Sequence, residues 1–261
     1  MTPSQALALL AASAAAGVMN AMAGGGTIVT YPTLLLAGVP AIVANATSTV
    51  ALLPGTIASM AGYRREVATH RHWLKTLFLP SLLGGTLGAV LLLRTPERVF
   101  AQLAPALILF ATVLFMVQGV VRRRAAQAGE AEETIAPVPS AGNWLLAAVA
   151  QFGVAVYGGY FGAGAGILML AILGFLGLSN IHAMNGLKNF FGLAINLTAA
   201  VYFIARGAVN WPAALVMIAG AVAGGYGGAR FARRIGQERA RAAVVAIGLL
   251  MTALLFWQQA R

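Results

Sequence analysis

Ten apolar runs divided by short polar breaks set the layout of the chain. They are Gln5 to Ala23, Thr27 to Val39, Ala41 to Tyr63, Trp73 to Leu93, Val99 to Val121, Asn143 to Tyr160, Ala165 to Leu178, Ile181 to Ala205, Trp211 to Ala229 and Ala242 to Trp257. A bilayer-spanning helix takes about 20 residues, so the second and seventh runs are short. Each short run follows a glycine cluster, Gly24-Gly25-Gly26 in one case and Gly158-Gly159 through Gly162, Gly164 and Gly166 in the other. Breaks of this kind bare backbone N–H and C=O groups, which hydrocarbon tolerates only where protein or water satisfies them. The pattern predicts an all-α, polytopic transmembrane helical bundle with glycine-broken helices. It leaves open whether the first two runs of each half both cross or form a re-entrant hairpin, so roughly eight to ten crossings are expected.

Sliding the sequence against itself by 139 positions superimposes Gly25 on Gly164, Ile28 on Ile167, Gly38 on Gly177, Ala44 on Ala183, Tyr63 on Tyr202, Gly85 on Gly224, Gly88 on Gly227 and Arg94 on Arg233. The chain therefore reads as a tandem duplication: residues 1–121 as a first transmembrane repeat, 122–142 as a solvated cytoplasmic linker, and 143–261 as a second repeat. In the first repeat the loop from Arg64 to Lys75 is rich in positive charge and that from Arg94 to Arg98 is poorer. In the second, the equivalent of the rich loop carries only Arg206, whereas Arg230 to Arg241 carries five Arg. Basic loops stay cytoplasmic, so this flip predicts two inverted repeats, with both termini outside and the Arg64, Arg122 and Arg230 loops inside. The apolar start lacks the positive n-region of a secretory signal and is retained as a membrane helix.

With 60% hydrophobic and 9% charged residues, the composition departs from that of soluble domains, where the charged share is about 25%. Of the 17 basic residues 15 are Arg, nearly all in short loops. The formal charge of +11 thus reads as orientation signal and headgroup attraction; the folded basic surface with aromatic platforms that nucleic acid needs is not seen. The absence of Cys excludes disulfides, thiolate metal sites and thiol catalysis. No cofactor or metal motif is read. Trp73, Trp144, Trp211 and Trp257 fall at segment ends, as an aromatic belt would place them.

Lys188 lies inside the run from Ile181 to Ala205, with Asn185, Asn189 and Asn196 as polar company. An ammonium at membrane depth costs several kcal/mol unless it faces a wet cavity or a partner, which makes it a functional-site candidate by default. The chain has no Asp, and its six Glu (Glu66, Glu97, Glu130, Glu132, Glu133 and Glu238) all fall in polar breaks. A mobile anion is the partner this pattern suggests. At about 100° per residue, Asn185, Lys188, Gly192 and Asn196 share roughly a quarter turn of helix, with Asn189 at the flank. In the first repeat Asn45, Ser48, Thr56 and Ser59 form a comparable stripe beside Thr47 and Thr49, and the two stripes match at a shift of 140. Amide and hydroxyl donors around one cation suit an oxyanion such as sulfite, a sulfonate or a carboxylate. Gly25, Gly26 and Gly164 would let the backbone approach it, and short helices starting near Thr27 or Ala165 would aim N–H groups at the charge. Plainer readings stand beside these: snorkelling for Lys188, and interhelical hydrogen bonding or close packing for the Asn, Ser, Thr and Gly residues.

The glycine-rich run from Gly24 through Tyr31-Pro32, the stretch Ala44-Asn45-Ala46-Thr47-Ser48-Thr49, and Asn185-Gly186-Leu187-Lys188-Asn189 followed by Asn196 and Trp211 resemble the TauE/SafE sulfite exporter family. The resemblance covers essentially the whole chain. It implies a multi-pass permease of the bacterial cell inner (cytoplasmic) membrane that exports a small sulfur-containing anion such as sulfite, sulfoacetate or another organosulfonate. Its partners would be that anion and the lipid bilayer, with a homo-oligomer left open. The second repeat departs from the Thr/Ser-rich pattern of the first at Gly186 and Leu187, so a strictly symmetric site is not expected. The leading expectation is a secondary carrier working by alternating access. In it Lys188 attracts charge, Asn45, Ser48, Thr49, Asn185, Asn189 and Asn196 donate hydrogen bonds, and Gly25, Gly26 and Gly164 supply backbone donors and bending points. Two rival classes are an intramembrane hydrolase with Ser48 as nucleophile and Lys188 as base, and a membrane scaffold that transports nothing. No His or acid supports the first, and a buried cation weighs against the second.

Overall fold

The computed structural model describes residues 1–22, 25–62, 68, 70–127, 141–178, 180–235 and 237–259. Gly24, the basic segment at 63–67 and the linker residues 128–140 lie outside the described residues, as do the side chains of Ser59, His182, Arg122 to Arg124 and Arg230 to Arg241. Ten helices and no strand occur among the described residues. They are α1 (Pro3–Met22), α2 (Thr27–Leu36), α3 (Ala41–Gly62), α4 (Arg71–Arg94), α5 (Glu97–Gln127), α6 (Ala141–Tyr160), α7 (Ala165–Phe175), α8 (Ile181–Ala205), α9 (Trp211–Ile235) and α10 (Gln237–Gln259). The all-helical class and the short second and seventh elements follow the apolar pattern. Helices α5, α9 and α10 run past their apolar stretches into arginine-bearing segments, because Ala, Arg and Gln sustain a helix once it leaves the apolar zone. The first part of the expected linker, Arg122 to Gln127, is accordingly helical.

The duplication is visible in backbone conformation. Gly38 and Gly177, 139 positions apart, both take positive φ (83° and 88°), where a side chain would be strained. Each closes its helix in the same way: Gly38 N–H bonds Leu35 O and Val39 N–H bonds Leu34 O, while Gly177 N–H bonds Gly174 O and Leu178 N–H bonds Leu173 O. Gly25 and Gly164 share positive φ just before the short helices begin.

Packing repeats the same exchange. The first helix of each half lies most extensively against the fourth of the other, α1 on α9 and α4 on α6; the third and fourth pair likewise, α4 on α8 and α9 on α3. Helix α3 meets its counterpart α8, and α5 meets α10. The first five helices and the last five interlock through these exchanged contacts. Two of the crossings bring backbone against backbone: a Cβ on Gly224 would collide with Ala14 O, one on Gly88 with Val156 O, and one on Gly84 would lie 2.6 Å from Phe152 O. A buried hydrogen bond from Gln151 Nε2 to Ser81 Oγ (2.9 Å) adds a polar tie between α4 and α6.

Contacts at the helix ends fix which ends lie together. Gln5 Nε2 donates to Ala37 O (3.2 Å), so α1 and α2 form an antiparallel hairpin. The Glu97 carboxylate accepts from the N–H groups of Ala41 and Ile42, placing the start of α5 at the start of α3, where a negative charge suits the helix dipole. Gln259 Nε2 donates to Ala101 O (2.8 Å), bringing the end of α10 to the same region. Trp73 and Trp144 meet edge-on at 4.9 Å, so α4 and α6 start side by side. Among the described residues three stretches are long and apolar enough to cross a membrane, His72–Arg94, Glu97–Val117 and Ala183–Ala205. Outward-facing Leu145 (69% exposed) and Phe175 (78% exposed) belong to a surface that lipid would cover.

Replacing Gly224 by Ala forces a methyl into the α1 backbone and should destabilise the detergent-solubilised protein by roughly 1–3 kcal/mol, read as a lower Tm. Gly225→Ala, where a Cβ meets nothing within 4 Å, should leave Tm near that of the parent.

Candidate functional site

The two broken tips and the middles of α3 and α8 enclose a cavity of about 100 Å³, enough for several waters or one small polyatomic ion. Its wall obeys the repeat. Helix α3 contributes Thr49, Leu52 and Thr56, and α8 contributes Asn189, Gly192 and Asn196, each pair 140 positions apart. The hairpins contribute Asn20 opposite Gly158, and Thr27 opposite Gly166. The pocket is therefore lined from both the first five helices and the last five.

Both breaks are fastened by the helix before them. Asn20 Oδ1 accepts the N–H of Gly26 at 2.9 Å, and the Tyr157 hydroxyl donates to Ala163 O at 2.6 Å. Backbone groups bared by the missing turn thus find partners without water.

Lys188 is the charged residue of the wall, only 6% exposed. Its stem lies along Gly166, where a Cβ would come within 3.2 Å of Cδ and 3.5 Å of Cγ. The missing side chain on α7 is what leaves room for the lysine to reach the cavity. Thr49, Asn189, Asn196 and Gly25, also singled out in the sequence, join it on the wall.

Other expected residues are placed elsewhere. Ser48 is fully buried and shares a 2.6 Å hydrogen bond with Thr30 Oγ1 of α2, so Thr49 rather than Ser48 faces the cavity. That geometry does not bring Ser48 and Lys188 together on one wall. Asn45 donates from Nδ2 to Tyr160 O (2.9 Å), and its Oδ1 is buried with no hydrogen-bond partner among the described residues. Asn185 is half-buried and off the wall, Gly26 is occupied with Asn20, and Gly164 opens α7 with its carbonyl bonded by Ile167 N–H. Asn20, Leu52, Met169 and Ile195 line the cavity without having been singled out in the sequence.

An aromatic cluster fills the space between the cavity and the turn at Thr95. Tyr31 packs edge-on against Phe100 and Phe161 with centroids 6.2 and 5.4 Å apart, and Phe100 packs on Tyr160 at 5.5 Å. The Tyr160 hydroxyl pairs with Thr95 Oγ1 at 3.3 Å. Phe161, next to the wall glycine Gly162, also packs on Phe100 at 6.3 Å, so the four rings form one cluster beside the cavity.

A helical bundle whose broken helices and polar faces enclose a cavity with a buried cation is the arrangement of a membrane transporter rather than an enzyme. The chain belongs to the family described as Sulfite exporter TauE/SafE, whose model matches residues 9–255. It is 27% identical over 254 residues to a "Probable membrane transporter protein" of Haemophilus influenzae, covering 94% of this chain and 91% of that one. It is 25% identical over 249 residues to "Probable membrane transporter protein ORF9" of a Sinorhizobium species, covering 95% and 90%. It is 26% identical over 249 residues to "Probable membrane transporter protein YfcA" of Escherichia coli, covering 93% and 86%. No solved structure matches the chain significantly.

Asn20→Ala strips the acceptor from the Gly26 amide, and Tyr157→Phe the donor from the Ala163 carbonyl. Each should cost about 1–3 kcal/mol by leaving a buried backbone group unsatisfied, measured as a fall in Tm or in denaturant midpoint.

Proposed function

We propose that this protein is a secondary carrier that exports a small sulfur oxyanion, sulfite or an organosulfonate, across the cell inner membrane by alternating access between two inverted repeats. The observation that carries the reading is the ammonium-bearing side chain of Lys188, buried in a cavity whose other described wall residues are neutral amides, hydroxyls, glycines and apolar side chains. Thr49, Thr56, Asn189, Asn196 and Asn20 can replace an oxyanion's hydration while Lys188 offsets its charge.

The inversion is supported by the helix ends. Helix α1 starts beside Ala37, four residues before the α3 start that Glu97 caps, whereas its counterpart α6 starts at the opposite end of α4, against Trp73. An opposite start for equivalent helices is what the flipped loop charges require, and it makes the protein multi-pass with Arg71 and Lys75 on the cytoplasmic side. Exchange of conformation between the halves would then open the cavity alternately to the two faces. On this reading the cluster of Tyr31, Phe100, Tyr160 and Phe161 plugs the Thr95 side. A monovalent anion leaving an inside-negative cell gains about 2.3 kcal/mol per 100 mV, so export needs no second ion.

Lys188→Met should lose about 2–5 kcal/mol of anion binding, with flux of sulfite from proteoliposomes collapsing and the sulfite-dependent rise in Tm disappearing. Lys188→Arg should keep part of both. Parental flux in the Met variant would remove the lysine from the mechanism.

The natural absence of Cys allows the plug to be tested separately. A Thr49→Cys protein should react slowly with a membrane-impermeant thiol reagent applied from the Thr95 side, and several times faster once Phe161→Ala is added. Equal rates in the two proteins would mean that the aromatic cluster is no barrier.

A further inference from the structure

We infer that the cavity selects by charge state, accepting singly charged oxyanions over doubly charged ones of the same shape; this rests on the anion-carrier reading above. Among the described residues the wall supplies at most one full positive charge, on Lys188. The groups around it, Asn20, Thr49, Thr56, Asn189 and Asn196, are neutral dipoles.

The repeat makes the asymmetry specific. At the shift of 140 that aligns the walls, the counterpart of Lys188 is Ser48, a neutral residue turned away from the cavity toward Thr30. The short helices α2 and α7 begin at the wall, but their first-turn amides are partly committed: Gly26 N–H to Asn20 Oδ1 at 2.9 Å and Ala165 N–H to Gly162 O at 3.3 Å. Such helix ends contribute partial charge and no second cation.

A monoanion therefore leaves the loaded site one negative charge lighter than a dianion does, with at most one lysine charge to set against either. A dianion brings a net negative charge into a buried site whose dipoles replace water poorly, and the uncompensated charge is the expensive one. Shape alone does not discriminate here, since a tetrahedral oxyanion presents the same oxygens at either charge.

The test uses the purified full-length protein in nanodiscs and two ligands with one frame. Methanesulfonate is a monoanion throughout, while methylphosphonate passes from monoanion to dianion across neutral pH. Binding is followed by calorimetry or thermal shift as pH rises. Methylphosphonate should weaken by about tenfold per pH unit above its second ionisation, while methanesulfonate, which would report any titration of the protein itself, holds steady. Methylphosphonate binding that stays level or tightens would overturn charge selection and leave the anion carrier standing. Failure of both ligands to bind at any pH would sink the carrier reading and the selectivity with it.

Discussion

One ammonium held in the middle of an apolar helix is the constraint that the rest of the molecule answers. Lys188 is 6% exposed, and α8 around it is otherwise a stretch apolar enough to span a membrane. A charge there persists only with polar surroundings, and polar surroundings at that depth are costly to build. The chain builds them from both halves at once. It interrupts two helices so that their tips reach the centre, turns the amides of α8 and the hydroxyls of α3 inward, and omits a side chain at Gly166 so that the lysine stem can pass.

Interrupting a helix creates its own demand, because the bared backbone must be satisfied without bulk water. Asn20 and Tyr157 meet it at the two breaks, each from the helix immediately before the gap. Elsewhere Glu97 covers the start of α3, and Thr47 Oγ1 accepts from Asn210 N–H at 2.9 Å at the start of α9. These ties run between halves as well as within them. Together with the glycine crossings of α1 on α9 and α4 on α6, they make the two repeats one interlocked body. A carrier needs that combination: rigid crossings that move as units, and a polar seam with two alternative closures.

Much of this was legible in the sequence, for identifiable reasons. Run lengths named the short helices, because hydrocarbon fixes how many residues a span takes. The shift of 139 anticipated matching positive-φ glycines at Gly25 and Gly164 and at Gly38 and Gly177, because only glycine holds such a turn cheaply. Lys188 and Asn196 were placed on one polar stripe with Asn189 at its flank, and Thr49 beside the matching stripe of the first repeat; all four line the cavity. The choice between Ser48 and Thr49 was not legible: adjacent positions differ by about 100° of helix phase, and the phase of α3 is set by Thr30 on another element. Asn185 missed the wall for a related reason, lying nearly a turn before Lys188. Asn20 lies in an alanine-rich run where Ser13, two turns earlier, is the nearest polar residue on its face, too little to mark a stripe. The aromatic barrier draws on residues 31, 100, 160 and 161, whose union is purely tertiary and leaves no local periodicity.

Charge accounting links the asymmetric wall to the direction of transport. If a monoanion neutralises Lys188, the loaded site carries no net charge through the conformational change, and the membrane potential does little to that step. If Lys188 leaves the empty site at +1, an inside-negative potential pulls it back toward the cytoplasm, at up to about 2.3 kcal/mol per 100 mV for the full field. The field then acts on the return of the vacant carrier and so favours export without any second ion. A carboxylate at Ser48, the counterpart position, would cancel that pull, and a second lysine would load both steps with charge. The single lysine is the arrangement in which binding and voltage act on different halves of the cycle.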